Sequence, residues 1–218
     1  MSAYAVSALV IALTGTAGLV LHSTVLRTGR LRPGMFCFYT NLSNLLATLY
    51  QWALFAALTA APSGAACRLL SAPVTALSMA LGIWVTHLIY HFVLLPDARR
   101  RGVTFTDGAD DRAGNVIVHY AVPLMTLGQW LVWADKSGLN AAHAAVWLVL
   151  PLAYFAFAML RARTGRPIGR TQLLYPYPFL DYPRLGAKKF WQGVALIAVA
   201  FYALGLLLVG VAALLGQI

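Results

Sequence analysis

Thr40, Asn41, Ser43 and Asn44 stand together at the head of an apolar run that continues to about Ala61. Positions 40, 43 and 44 share one helical face, and Asn41 borders it. Such a stripe within hydrocarbon must face protein or trapped water, because lipid tails offer no hydrogen-bond partner. It admits two readings. One is interhelical glue, with Ser, Thr and Asn bonding neighbouring helices. The other is the wall of a buried site in which Thr40 is the reactive hydroxyl. A threonine hydroxyl is a weak nucleophile and needs a nearby base. His119, in a later apolar run, is the candidate, and His87 and His91 lie in the run before it. At 1.5 Å per helical residue, Thr40 lies about 8 Å inside its run, His119 about 9 Å, His91 about 7 Å and His87 about 13 Å. One hydroxyl and three imidazoles from three segments therefore share a layer.

His87 and His91 are four residues apart and stack on one helical face. They read as hydrogen-bonded histidines lining a polar cavity, as half of a metal site, or as one axial haem ligand with a bystander. Zinc needs a third ligand, and no carboxylate or cysteine at membrane depth supplies it, so neither metal nor cofactor is assigned. Pro123, four residues beyond His119, cannot donate to its carbonyl; a kink there opens space beside the imidazole. His22, at the end of the first run, reads as a histidine snorkelling to the interface.

The elements that must position these groups are membrane helices. Of 218 residues, 61% are hydrophobic and 10% charged, against about a quarter charged in a soluble domain. Six segments, roughly 3–23, 35–61, 69–95, 113–134, 142–161 and 189–215, reach the length of about 20 residues that spans a bilayer. The predicted fold is all-α: a single six-helix transmembrane domain over 1–218. The first segment lacks the basic start and small-residue cleavage site of a signal peptide. The net charge of +10 is a topology signal: loops one, three and five hold 14 of the 16 basic residues, leaving only Arg68 and Lys136 for the other side. Both termini are thereby placed outside, with the basic loops in the cytoplasm against anionic headgroups. No basic surface stands clear of the membrane for nucleic acid. Cys37 and Cys67 sit at opposite ends of the second segment, about 45 Å apart, and cannot pair.

Loop three mixes Asp97, Asp107, Asp110 and Asp111 with four arginines and reads as a solvated, salt-bridged turn. In loop five, Tyr175-Pro176-Tyr177-Pro178-Phe179-Leu180-Asp181-Tyr182-Pro183 excludes a regular helix by its prolines. It reads as an interfacial anchor or as a lid over the Thr40 and His119 layer. Asp181 either pairs with Arg184 or orients a histidine. Segment five, with Pro151 and Tyr154, and segment six read as packing.

Three stretches carry a resemblance: Tyr39-Thr40-Asn41-Leu42-Ser43-Asn44-Leu45-Leu46, Val118-His119-Tyr120-Ala121-Val122-Pro123-Leu124, and Tyr175-Pro176-Tyr177-Pro178-Phe179-Leu180-Asp181. Across essentially its whole length the chain resembles the androgen-induced integral membrane proteins, including the androgen-dependent TFPI-regulating protein, and more closely their bacterial six-helix relatives. The resemblance implies a threonine hydrolase of fatty acid esters of hydroxy fatty acids in a bacterial inner membrane. Thr40 then becomes the nucleophile and His119 the general base. Asn41, Ser43, Asn44, His87, His91 and Asp181 become candidate oxyanion donors or substrate contacts for a fatty acyl ester. Two other classes remain open on the residues alone: a haem-binding electron carrier, and a membrane protein that binds or transports a lipid or small solute.

Overall fold

The computed structural model describes residues 1–102, 104, 106, 108–169 and 172–216. Asp107 and Arg170, counted above among the loop charges, lie outside the described residues. Among the described residues every regular element is helical. Six long helices follow in chain order: α1 (Ala3–His22), α2 (Tyr39–Ala60), α3 (Pro73–Arg101), α4 (Ala109–Trp133), α5 (His143–Ala162) and α6 (Tyr182–Leu215). All but α2 are long and apolar enough to cross a membrane, which makes this a multi-pass integral membrane protein. The 22 residues of α2 carry no charge, but its polar stripe dilutes its hydropathy.

Contacts group the chain into two compact units, Met1–Arg32 with Thr40–Asp135, and Pro33–Tyr39 with Lys136–Ile218. The first unit is held by α1 to α4. Its core takes one residue from each helix: Ile11, Ala47, Ile83 and Val122. Lipid tails are as apolar as leucine, so close approach and interhelical hydrogen bonds carry the association. Gly15 of α1 lies against Thr48, and Gly114 of α4 lies directly on the backbone of His22. Gln51 Nε2 donates to Gln129 Oε1 at 2.6 Å, and Gln129 Nε2 donates to Ser7 Oγ at 3.0 Å, tying α2, α4 and α1 together. Gln51 thus satisfies its amide on a neighbouring helix. Trp130 is buried, whereas Trp133 is exposed.

In the second unit, α5 breaks briefly at Trp147, ahead of Pro151. Pro151 has no N–H for the Trp147 carbonyl, and Leu150 N–H serves it instead at 3.1 Å. Gly205 of α6 sits on the Ala144 carbonyl and the Trp147 indole. Phe190 is buried, its ring meeting Phe155, Tyr182 and Trp191. Between α5 and α6 the described residues are irregular apart from one short turn at Pro178–Leu180. Its Tyr177 stacks on Phe179 and meets Phe38 edge-on. Tyr154 donates to the Cys37 carbonyl at 2.9 Å, giving the main polar group of segment five a fixed duty. Asp181 caps α6, accepting from the Arg184 backbone N–H at 3.2 Å. The expected Asp181–Arg184 pairing is therefore to the peptide, and the carboxylate works as a helix cap.

Candidate active site

Two interruptions of the helices shape the site. In α3 the turn Tyr90–Leu94, and in α4 the turn Ile117–Ala121, are π-helical. Each ends two residues before a proline, Pro96 or Pro123. In α4 the Val122 N–H reaches back to the Ile117 carbonyl, so the Val118 carbonyl loses its usual donor. Pro123 has no N–H for the His119 carbonyl. Side chains take over both: Asn44 Nδ2 donates to Val118 O at 2.9 Å, and His87 Nδ1–H donates to His119 O at 3.0 Å. The distortion expected at Pro123 is thus a π-turn, of the kind frequent at functional sites. The space beside His119 is filled by Tyr90, whose ring stacks on the imidazole at 3.7 Å.

Within this frame Thr40 Oγ1 lies 3.3 Å from His119 Nε2, and both residues are buried. His119 Nδ1 lies 2.9 Å from the Asn115 carbonyl oxygen. A carbonyl only accepts, so Nδ1 carries the proton; in the neutral ring Nε2 is then the acceptor, facing the Thr40 hydroxyl. Backbone geometry alone selects the tautomer that a base for Thr40 requires. Asn115 acts twice, since its Nδ2 donates to the Tyr90 hydroxyl at 2.7 Å and fixes the ring stacked on His119.

The other expected residues separate into distinct duties. Asn44 is fully buried, and its amide nitrogen donates to both the Thr40 and Val118 carbonyls. With both N–H groups used on backbone, Asn44 does not serve as an oxyanion donor; it is a clamp between α2 and α4. Ser43 Oγ donates to Thr40 O and lies 2.8 Å from Thr86 Oγ1, which links α2 to α3. The stripe therefore carries interhelical glue and, at Thr40, the contact with His119. Asn41 is buried next to Thr40. His87 and His91 stack at 5.7 Å as predicted, but with different roles: His87 holds the His119 carbonyl, while His91 is exposed and bonds the Tyr120 hydroxyl at 3.0 Å. His91 therefore does not line the Thr40 and His119 contact. Among the described residues, no three His, Cys, Asp or Glu side chains gather in a geometry that holds a metal ion.

Asn44→Leu is expected to cost about 1–3 kcal/mol, the penalty of stranding buried acceptors. Thermal unfolding in detergent micelles reads it. A variant as stable as the parent would mean that Val118 O and Thr40 O are served by other donors.

Sequence reasoning passed over two residues. His22, read as snorkelling, turns inward: its Nδ1 lies 2.8 Å from Asp111 Oδ1, and its ring meets His119 edge-on at 6.3 Å. Asp111, read as a solvated loop acid, is buried. The expected start of α4 at 113 left it in the loop, whereas the helix begins at Ala109. The signal was the spacing Asp111, Asn115, His119, four residues apart throughout, and the acidic first turn that suits a helix N-terminus. Of the other described acids read into loop three, Asp97 pairs with Arg100 and Arg101 and Asp110 with Arg27, as salt bridges at helix ends rather than in a turn.

Fold and site together define a multi-pass helical membrane protein with a buried hydroxyl–imidazole pair. No family model, curated protein or solved structure matches the chain.

Proposed function

We propose that this protein is an intramembrane hydrolase of fatty acyl esters, with Thr40 as nucleophile and His119 as general base, in the cytoplasmic half of a bacterial inner membrane. The observation that carries the reading is the 3.3 Å contact between Thr40 Oγ1 and His119 Nε2, with Nδ1 committed to the Asn115 carbonyl. The resemblance of the Thr40 and His119 stretches to threonine hydrolases supports it. In this reading α2 is the sixth span. Its polar face is buried while Leu46, Leu49 and Trp52 are exposed, so the outward side remains apolar. Six spans and the basic odd-numbered loops put both termini outside.

Thr40 Oγ1 attacks the ester carbonyl as its proton passes to His119 Nε2. Negative charge develops on the carbonyl oxygen beside the first turn of α2, where the positive end of the helix dipole favours it. Asn41, buried beside Thr40, is the candidate side-chain donor. The tetrahedral intermediate collapses, the C–O bond to the alcohol breaks, and His119 returns its proton to the departing oxygen. The acyl group is left on Thr40.

A fluorophosphonate probe tests this, because it needs an activated hydroxyl but no particular acyl chain. The parent protein and Thr40→Ser are expected to label, and Thr40→Val to remain unlabelled while eluting as a folded species. Parent-level labelling of Thr40→Val would end the reading.

A further inference from the structure

The second half of such a reaction sets a proton problem that the Thr40 and His119 pair handles only in part. Hydrolysis of the acyl-threonine by water yields a carboxylate, the free Thr40 hydroxyl and one proton. Two water protons must therefore go to two places. The structure holds a second imidazole beside the first. His22 Nδ1 and Asp111 Oδ1 are 2.8 Å apart, and the His22 and His119 rings are perpendicular at 6.3 Å. The two imidazoles are thus close neighbours, His22 at the end of α1 and His119 on α4. The His22 side chain is 16% exposed and that of Asp111 7%. The pair is thus largely closed off at the end of α1.

Three features show that His22 is held there by construction. The carboxylate fixes the tautomer, since Nδ1–H donates to Asp111 and Nε2 is left as the acceptor. Gly114 lets the α1 backbone at His22 come down onto α4. Thr24, two residues on, is the single non-glycine residue with positive φ among the described residues (φ 57°, ψ 15°), and it is buried. A non-glycine residue in that region is strained and persists only where the surroundings impose it. Here it ends α1 directly after His22.

Resting on the hydrolase reading above, we infer that the His22–Asp111 pair is the general base for water in the deacylation step. Water attacks the acyl carbonyl carbon and gives one proton to His22 Nε2. The Asp111 carboxylate balances the charge on the resulting imidazolium, as in other carboxylate–histidine pairs. The intermediate collapses with cleavage of the carbonyl carbon–Thr40 Oγ1 bond. Its remaining hydroxyl proton passes through His119 Nε2 to Thr40 Oγ1. The product leaves as a carboxylate, and His22 releases its proton to the cytoplasmic side.

The experiment pairs probe labelling, which reports attack by Thr40, with turnover of a p-nitrophenyl acyl ester, which needs both steps. For His22→Gln and Asp111→Asn, labelling is expected within about twofold of the parent. Steady-state turnover should fall by about a hundredfold or more, after a burst of p-nitrophenol stoichiometric with protein. Acyl-protein should accumulate in intact-mass spectra. Parent-level turnover in both variants would overturn the inference, as would a parallel loss of labelling and turnover, which marks a structural role. A parent protein that neither labels nor turns over would instead remove the hydrolase reading itself.

Discussion

His119→Ala is expected to lower ester turnover by a factor of about 10²–10⁴, the range of a positioned general base. The loss should appear in kcat and in kcat/KM alike, because the interaction removed is made in the transition state. The size follows from burial. Thr40 is closed off from solvent, and Nε2 of His119 is the acceptor at 3.3 Å. Bulk water cannot replace it as a base without entering that space. The substitution also strips Tyr90 of its stacking partner, so His119→Gln, which retains more volume, separates chemistry from packing. Both variants should lose turnover, while only the alanine variant also melts earlier. Parent-like rates in His119→Gln would show that another group takes the Thr40 proton.

Gly114→Ala should be the most destabilising single-methyl change in the first unit. An added Cβ would meet the amide nitrogen and Cα of His22. These are backbone atoms, so no side-chain rotation relieves the clash and α1 must move off α4. Overpacking of this kind costs about 1–3 kcal/mol, and the displacement carries His22 away from Asp111. Gly128→Ala, on the same helix, is the matched control, since nothing lies within 4 Å of its added Cβ. It should be neutral or gain about 0.5–1 kcal/mol from the helix propensity of alanine. Thermal midpoints in detergent compare the two. Equal midpoints would mean that the α1–α4 contact yields freely. Turnover in Gly114→Ala should fall more than probe labelling, in line with the His22 assignment.

Much of the frame was legible in the chain. All six segments appear as helices, and most ends shift by four residues or fewer, the start of α4 among them; the end of α3 moves by six and the start of α6 by seven. The starts of α4 and α6 have local causes. Asp110 and Asp111 favour the first turn of α4, and Asp181 with Pro183 starts α6 at Tyr182, ahead of a break at Gly186 (φ 70°). Both starts lie in polar or proline-bearing sequence, where an apolar-run criterion ends too soon. The cost was specific: four residues at the head of α4 moved Asp111 from a solvated loop to a buried helix turn, and hid its relation to Asn115 and His119.

By itself the sequence determined the medium and the inventory. Apolar runs of bilayer length dictate membrane helices, and Thr40, His87 and His119 at similar depth dictate a shared layer, because helix rise is constant. Which groups touch within that layer was decided by tertiary structure. The π-turn before Pro123 frees the Val118 and His119 carbonyls; Asn44 and His87 are drawn onto them rather than toward a ligand. Glycine at 114 admits the end of α1, bringing His22 against Asp111 and its ring near that of His119. Neither outcome is written in periodicity. Both depend on where one helix leaves a backbone group unserved or a surface bare enough for another helix to approach.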